Sequence, residues 1–181
     1  MGCSICHCRA QRGSREYYII HGSSHEHSDS KEALECQLEY ALEKCYPLVV
    51  VEPFWLGNET VRWIRVGNFL HKSAVLATLG ALVTLPFLPG PIRNFTSIPL
   101  GVVGICSAGV YDVSWQFDPC CKYQVDYKGS ELARIPSHEL QSQSPVVLVR
   151  KNDKYRKILH NSLALIFAAY LGWRWYQYFY S

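Results

Sequence analysis

Two stretches without charge decide most of what this chain can become. Between Lys72 and Arg93 lie 20 uncharged residues, SAVLATLGALVTLPFLPGPI, and between Arg93 and Asp112 another 18, NFTSIPLGVVGICSAGVY. A helix that spans a bilayer needs about 20 mostly apolar residues. One Asp or Lys near its centre costs about 2.5–3.5 kcal/mol, and neither run contains one. The join, Pro89 to Asn94, is dense in turn formers and carries only Arg93. The runs predict a transmembrane helical hairpin over 67–112, with helices at about 73–90 and 95–112. The competing reading is a buried hairpin in a soluble protein. It needs the remaining chain to cover two helices that are apolar on every face, and much of that chain is polar.

Ile158 to Trp173, ILHNSLALIFAAYLGW, is a third apolar segment, shorter and containing His160 and Asn161. Beyond it Trp175, Tyr176, Tyr178, Phe179 and Tyr180 resemble the aromatic belt of a membrane interface. The residues leave three readings open for this C-terminal helix: spanning, lying in the interface, or docking on the hairpin. Helices in lipid associate through closely packed small residues. Ser73, Ala77 and Ala81 recur at helical spacing in the first run. Ser97 and Gly101, and Gly104 and Ala108, do so in the second, and Ala164, Ala168 and Gly172 in the third. These are the candidate helix-packing positions.

The flanks read as a small α/β-type domain. Lys31 to Cys45 carries Leu34, Leu38, Ala41, Leu42 and Cys45 on one helical face, with most of its glutamates elsewhere. Tyr17 to Ile20, Leu48 to Val51, Tyr123 to Tyr127 and Pro145 to Arg150 read as strands. A two-helix hairpin returns the chain to its starting side, so strands before and after it can share one sheet. The fold class is therefore an α+β membrane protein. Its parts are a flexible segment 1–15, domain halves 16–66 and 113–153 around the hairpin, and a helix in 154–181. Arg62, Arg65, Lys72, Lys122, Arg150, Lys151, Lys154, Arg156 and Lys157 flank the apolar segments on the domain side, which the positive-inside rule places in cytosol or matrix.

Few residues point to chemistry. A net charge of +3 with 18% charged residues is too small a surplus to argue for nucleic acid. No P-loop, dinucleotide fingerprint, nucleophile elbow or HExxH occurs. The sequence therefore suggests no enzyme, no catalytic residue, no cofactor and no metal site. Residues 1–15 hold Arg9, Arg12 and Arg15 but no apolar run, unlike a secretory signal. Gly2 and Cys3 suggest acylation, but Cys6 stands where that pattern wants Ser or Thr. Cys3, Cys6, His7 and Cys8 lack the second ligand pair of a zinc site, and His21, His25 and His27 lie in a Ser-rich polar stretch. Asn58 and Asn94 begin glycosylation tripeptides that act only in a secretory lumen. Trp115, Phe117, Asp118, Pro119, Cys120 and Cys121 form a membrane-junction motif, an aromatic anchor and a proline stop after the second run. Cys120 and Cys121 leave a thiol-based redox protein as the alternative. A channel is disfavoured, because neither strong run holds an ionisable residue.

Five runs carry a resemblance: ETVRWIRVGN (Glu59 to Asn68), GNFLHKSAVLA (Gly67 to Ala77), WQFDPCCKYQVDY (Trp115 to Tyr127), PVVLVRKND (Pro145 to Asp153) and RKILHNSLAL (Arg156 to Leu165). In order and spacing, across about residues 17–170, the chain resembles the transmembrane protein 11 family of mitochondrial membrane proteins. The first 15 residues and the turn at 89–95 depart from it. The resemblance implies a multi-pass mitochondrial membrane protein, usually of the inner membrane, acting in mitochondrial morphogenesis and cristae organisation. It implies partners in the lipid bilayer and the cristae-junction scaffold, with a second copy of the chain as a further candidate. Outer-membrane placement, as an adaptor for mitophagy receptors, is the competing expectation.

Overall fold

The computed structural model describes residues 17–22, 28–142 and 144–180. The segment 1–15 with Gly2, Cys3, Cys6, His7 and Cys8, and also His25 and His27, lie outside the described residues. Two compact units emerge. One draws on the chain up to Ile64 and on Lys122–Lys151; the other combines Arg65–Cys121 with Asn152–Ser181.

The first unit is a mixed sheet with a crossover helix. β1 (Tyr17–Ile20), α1 (Ser28–Glu43) and β2 (Leu48–Val51) form a β-α-β unit whose strands pair in parallel. β4 (Val146–Arg150) lies antiparallel to β2, and β3 (Tyr123–Val125) antiparallel to β4, giving the order β1-β2-β4-β3. β2 is buried along its whole length, which explains its unbroken LVVV: a strand covered on both faces has no polar alternation. On one face Leu48, Val50 and Val147 pack with Ile135. On the other, the register groups Ile20, Val49, Val51 and Leu148, while α1 buries Leu34, Leu38, Ala41 and Leu42.

α1 closes with a bond from the Tyr46 N–H to the Ala41 carbonyl and another from Cys45 to Leu42. Cys45 sits at φ 59. That is the Schellman ending, with cysteine at the left-handed position that glycine usually fills. Glu52 follows β2 and is 6% exposed. Its carboxylate accepts the Gln141 N–H at 2.6 Å and that of Ser142 at 3.4 Å, and lies 2.9 Å from His21 Nδ1. Burial alone would raise its pKa; these hydrogen bonds outweigh burial and hold it below the ordinary glutamate value. One carboxylate thus fastens the 136–142 loop to the end of the sheet.

Long helices build the second unit. α2 (Phe54–Phe87) runs 34 residues from the first unit into the second, about 51 Å at about 1.5 Å per residue. α3 (Gly90–Ser114) and α4 (Lys154–Tyr180) have 25 and 27. The helix limits differ from those expected. α2 starts at Phe54 instead of near 73, because Arg62, Arg65 and Lys72 end the apolarity of the segment without ending its helicity. α3 starts at Gly90 instead of near 95. Pro91 falls in its first turn, where a missing N–H has no helical acceptor to lose. The proline-rich join is thus mostly helix start, and the turn shrinks to Leu88 and Pro89.

Candidate functional site in the helical bundle

α2 and α3 are two helices long and apolar enough to cross a membrane. Their contact is built on glycine. A Cβ added at Gly104 would lie 2.9 Å from the backbone nitrogen of Thr78 and 3.1 Å from its Cβ. Only a residue without a side chain lets α3 come this near to α2. At Gly101 the seat is taken by the ring of Phe167 from α4, which is wholly buried. Ser97, Gly101, Gly104 and Ala108 are all buried along α3, with Tyr111 continuing the line.

On α2 the buried line runs through Ala74, Thr78 and Ala81. Ser73 and Ala77, expected in that line, are half-buried beside it. On α4 the buried positions are His160 and Phe167, whereas Ala168 and Gly172 are exposed and Ala164 half-buried. The small residues singled out by spacing on α3 are buried ones. Spacing missed Thr78 and Phe167, because a large ring seated over glycine leaves no small-residue signature on its own helix.

At the end of the bundle where α3 finishes, the interior becomes polar. His160, 1% exposed, places Nδ1 3.0 Å from His71 Nδ1 and Nε2 3.3 Å from Asp112 Oδ1. Its ring meets that of Tyr111 edge-on, with centroids 4.8 Å apart. Turned so that its nitrogen faces Asp112, the Asn161 amide donates to both carboxylate oxygens, at 3.2 and 3.1 Å. Arg156 donates to Asn68 at 2.7 Å. α4 thereby links α2 and α3 through side chains of one short stretch, Arg156 to Asn161. Asp112 closes the second apolar run and His160 lies within the third, and that placement was the available signal for this cluster.

The junction motif adjoins it. α3 stops at Ser114, and Trp115 is buried with its indole against Gly67: a Cβ there would meet Cδ1 at 2.7 Å. Phe117 is 82% exposed. Asp118 Oδ1 accepts the Cys120 N–H at 2.7 Å, and Pro119 opens a 3-10 turn, Pro119–Lys122, that buries Cys120 and Cys121.

The Cys121 thiol donates to Asp153 Oδ2 at 3.3 Å, and Lys157 Nζ sits 2.7 Å from the same oxygen. Lys157 also donates to the Gln116 carbonyl at 2.7 Å. Burial first, then the Asp153 charge, pushes the thiol up to about 11 against the pull of Lys157. Asp153, raised by burial but more strongly stabilised by Lys157, stays below the usual aspartate value. A protonated, buried thiol is a poor nucleophile, so Cys121 acts here as a hydrogen-bond donor. Among the described residues no group of three His, Cys, Asp or Glu side chains is placed to hold a metal ion.

At the opposite end Arg174 Nη2 donates to Asn94 Oδ1 at 3.1 Å. α4 therefore runs antiparallel to α3 along most of its length, joined by polar contacts at both ends and by Phe167 on Gly101 between them.

Comparison with known proteins matches residues 16–176 to a family described as mitochondrial morphogenesis regulator. The chain is 46% identical over 162 residues to transmembrane protein 11-A, mitochondrial, of Xenopus laevis, covering 90% of this chain and 86% of the relative. It is 44% identical over 169 residues to transmembrane protein 11, mitochondrial, of Danio rerio, covering 93% and 90%. Against the Homo sapiens protein of that name it is 46% identical over 162 residues, covering 90% and 84%. No solved structure matches.

Proposed function

This chain belongs to the family of mitochondrial morphogenesis regulators, and from that premise we propose that it is a non-enzymatic, multi-pass mitochondrial membrane protein that organises cristae. One observation carries the membrane part. In their most apolar windows only 17% of α2 and 28% of α3 is buried by the rest of the molecule. Leu76, Phe87, Phe95 and Val113 are among the exposed side chains. Core helices of a soluble protein would be covered, so lipid is the solvent that fits these faces.

In this reading α2 and α3 span, and the Gly104 seat fixes their approach. The α/β unit presents a docking surface to cristae-junction scaffold proteins or to a second copy, on the matrix side of the inner membrane. The basic residues Arg62, Arg65, Lys72, Lys154, Arg156 and Lys157, against Arg93 in the first turn of α3 and Arg174 beside Asn94 at the opposite end, support that side. The thiol alternative loses ground to the protonated state of Cys121.

Deleting the gene and re-expressing the chain tests the proposal. Enlarged or disordered cristae, restored by the wild type and by a Cys120→Ser, Cys121→Ser double variant, are expected; normal cristae in the deleted cells overturn it. Protease protection of tagged chains, in intact mitochondria and in mitoplasts, decides the membrane. Cleavage of the α/β unit in intact mitochondria would instead favour an outer-membrane adaptor for mitophagy receptors.

A further inference from the structure

Between α3 and α4, at the end of the bundle near the Leu88–Pro89 turn, lies a cavity of about 310 Å³. Ile98 of α3 and Tyr170, Arg174, Trp175, Tyr178 and Phe179 of α4 line it. The walls are aliphatic and aromatic, and one cation, Arg174, stands among them. Its bond to Asn94 holds the guanidinium against the first turn of α3 and leaves further N–H donors of the fork to serve. No acidic residue occurs in 73–111 or in 154–181. Among the described residues no ion pair includes Arg174. The helices that form this groove therefore supply no anion to it.

We propose that the groove holds one anionic glycerophospholipid, its acyl chain on the aromatic wall and its phosphodiester on Arg174. The inference rests on the membrane-spanning reading of α2 and α3. Asn94 is four residues into α3, about 6 Å from that helix end at about 1.5 Å per residue. In a spanning α3 this is the depth at which hydrocarbon gives way to phosphate. A free phosphate ion would pair with the guanidinium but leave the aromatic wall uncovered. An acidic peptide would bring backbone N–H groups into hydrocarbon unpaired. A phospholipid satisfies both halves of the groove, and the planar fork of arginine suits a phosphodiester. The proposal also carries α4 to the same boundary as the hairpin turn, where Trp173, Trp175, Tyr176, Tyr178 and Tyr180 lie exposed as an aromatic belt would.

The test is native mass spectrometry of the full chain in detergent, titrated with phosphatidylglycerol or phosphatidylcholine of matched acyl chains. One phosphatidylglycerol should bind in preference to phosphatidylcholine. Arg174→Gln, which keeps an amide donor for Asn94, should weaken phosphatidylglycerol about fivefold, the effect of about one basic residue near a lipid surface, with Arg174→Lys recovering part. Ile98→Trp, which fills the groove without altering charge, should weaken both lipids. Equal binding of the two lipids, an unaltered Arg174→Gln titration, or displacement of phosphatidylglycerol by millimolar inorganic phosphate would each overturn the proposal. Carbonate extraction of membranes in parallel separates the failures. A chain that stays with the membrane leaves the spanning reading intact whatever the titration gives, and one that washes off overturns both.

Discussion

The close approach of α2 and α3 makes a prediction whose sign is decided by one glycine against another. Gly104→Ala puts a methyl 2.9 Å from the Thr78 nitrogen and 3.1 Å from its Cβ, nearer still to Oγ1. Carbon atoms settle at about 3.5–4.0 Å, so the helices must part by about 0.5–1 Å and forfeit a quarter to a half of the local contact energy. The obstacle includes backbone, which cannot rotate aside. Overpacking of this kind costs about 1–3 kcal/mol. Against it stands the helix propensity of alanine over glycine, about 1 kcal/mol.

Gly109 lies on the same helix with nothing within 4 Å of an added Cβ, so Gly109→Ala receives the propensity gain without the clash. Propensity cancels between the two variants, and their difference isolates the packing: about 1–3 kcal/mol, with Gly104→Ala the less stable. Thermal unfolding in one detergent, with a spin-label distance across α2 and α3, measures both energy and separation. Equal melting temperatures, or an unchanged distance in Gly104→Ala, would refute the glycine seat as the reason these helices meet. In cells Gly104→Ala should rescue mitochondrial morphology less well than Gly109→Ala.

Three further outcomes follow from the site geometry. Glu52→Gln keeps an acceptor for the Gln141 N–H but removes the charge, and should cost about 1 kcal/mol at neutral pH, the difference between a charged and a neutral hydrogen bond. Because the folded pKa is depressed, that advantage is present above the unfolded value of 4.5 and disappears as pH falls through the folded value; chemical denaturation at pH 7 and pH 3 checks it, and a pH-independent gap would contradict it. His160→Leu strips His71 Nδ1 and Asp112 Oδ1 of a partner and should destabilise by about 1–3 kcal/mol, read as a lower melting temperature in detergent. Brief maleimide treatment at pH 7.5 should label exposed Cys36 and spare Cys121; Cys106, exposed on α3, should react in detergent but not in intact membranes, and fast labelling there would place water where lipid is proposed.

The parts of the fold that follow from local pattern were legible in the sequence. The four strands could be read because β-branched and aromatic runs stand between turn residues, and α1 because Leu34, Leu38, Ala41 and Leu42 share a face. The strand order could not, since pairing β4 between β2 and β3 depends on contacts across about a hundred residues that no local period encodes. Helix limits failed for a definite reason. Hydropathy reports where lipid can begin, and α2 is helical well before that point because Arg and Lys are good helix formers. Proline misled at the turn, where Pro91 lies in a first turn that tolerates it.

The bundle shows where such reading stops. Small residues mark the buried line of α3, since a close backbone approach requires them there, but the groups that occupy the seats are ordinary in sequence. Phe167 is one aromatic in an apolar run and His160 one histidine near its edge. What distinguishes them is position along α4 relative to Gly101 and Asp112, a relation fixed by the antiparallel course of α4 beside α3. That course puts His160 at the C-terminal end of α3 and Arg174 beside Asn94 near its start. A helix held by polar contacts at both ends and by a ring on glycine between them cannot slide by a turn without breaking all three. Register in this bundle is therefore set by a few specific side chains, since apolar surface, which lipid solvates as well as protein does, cannot choose it.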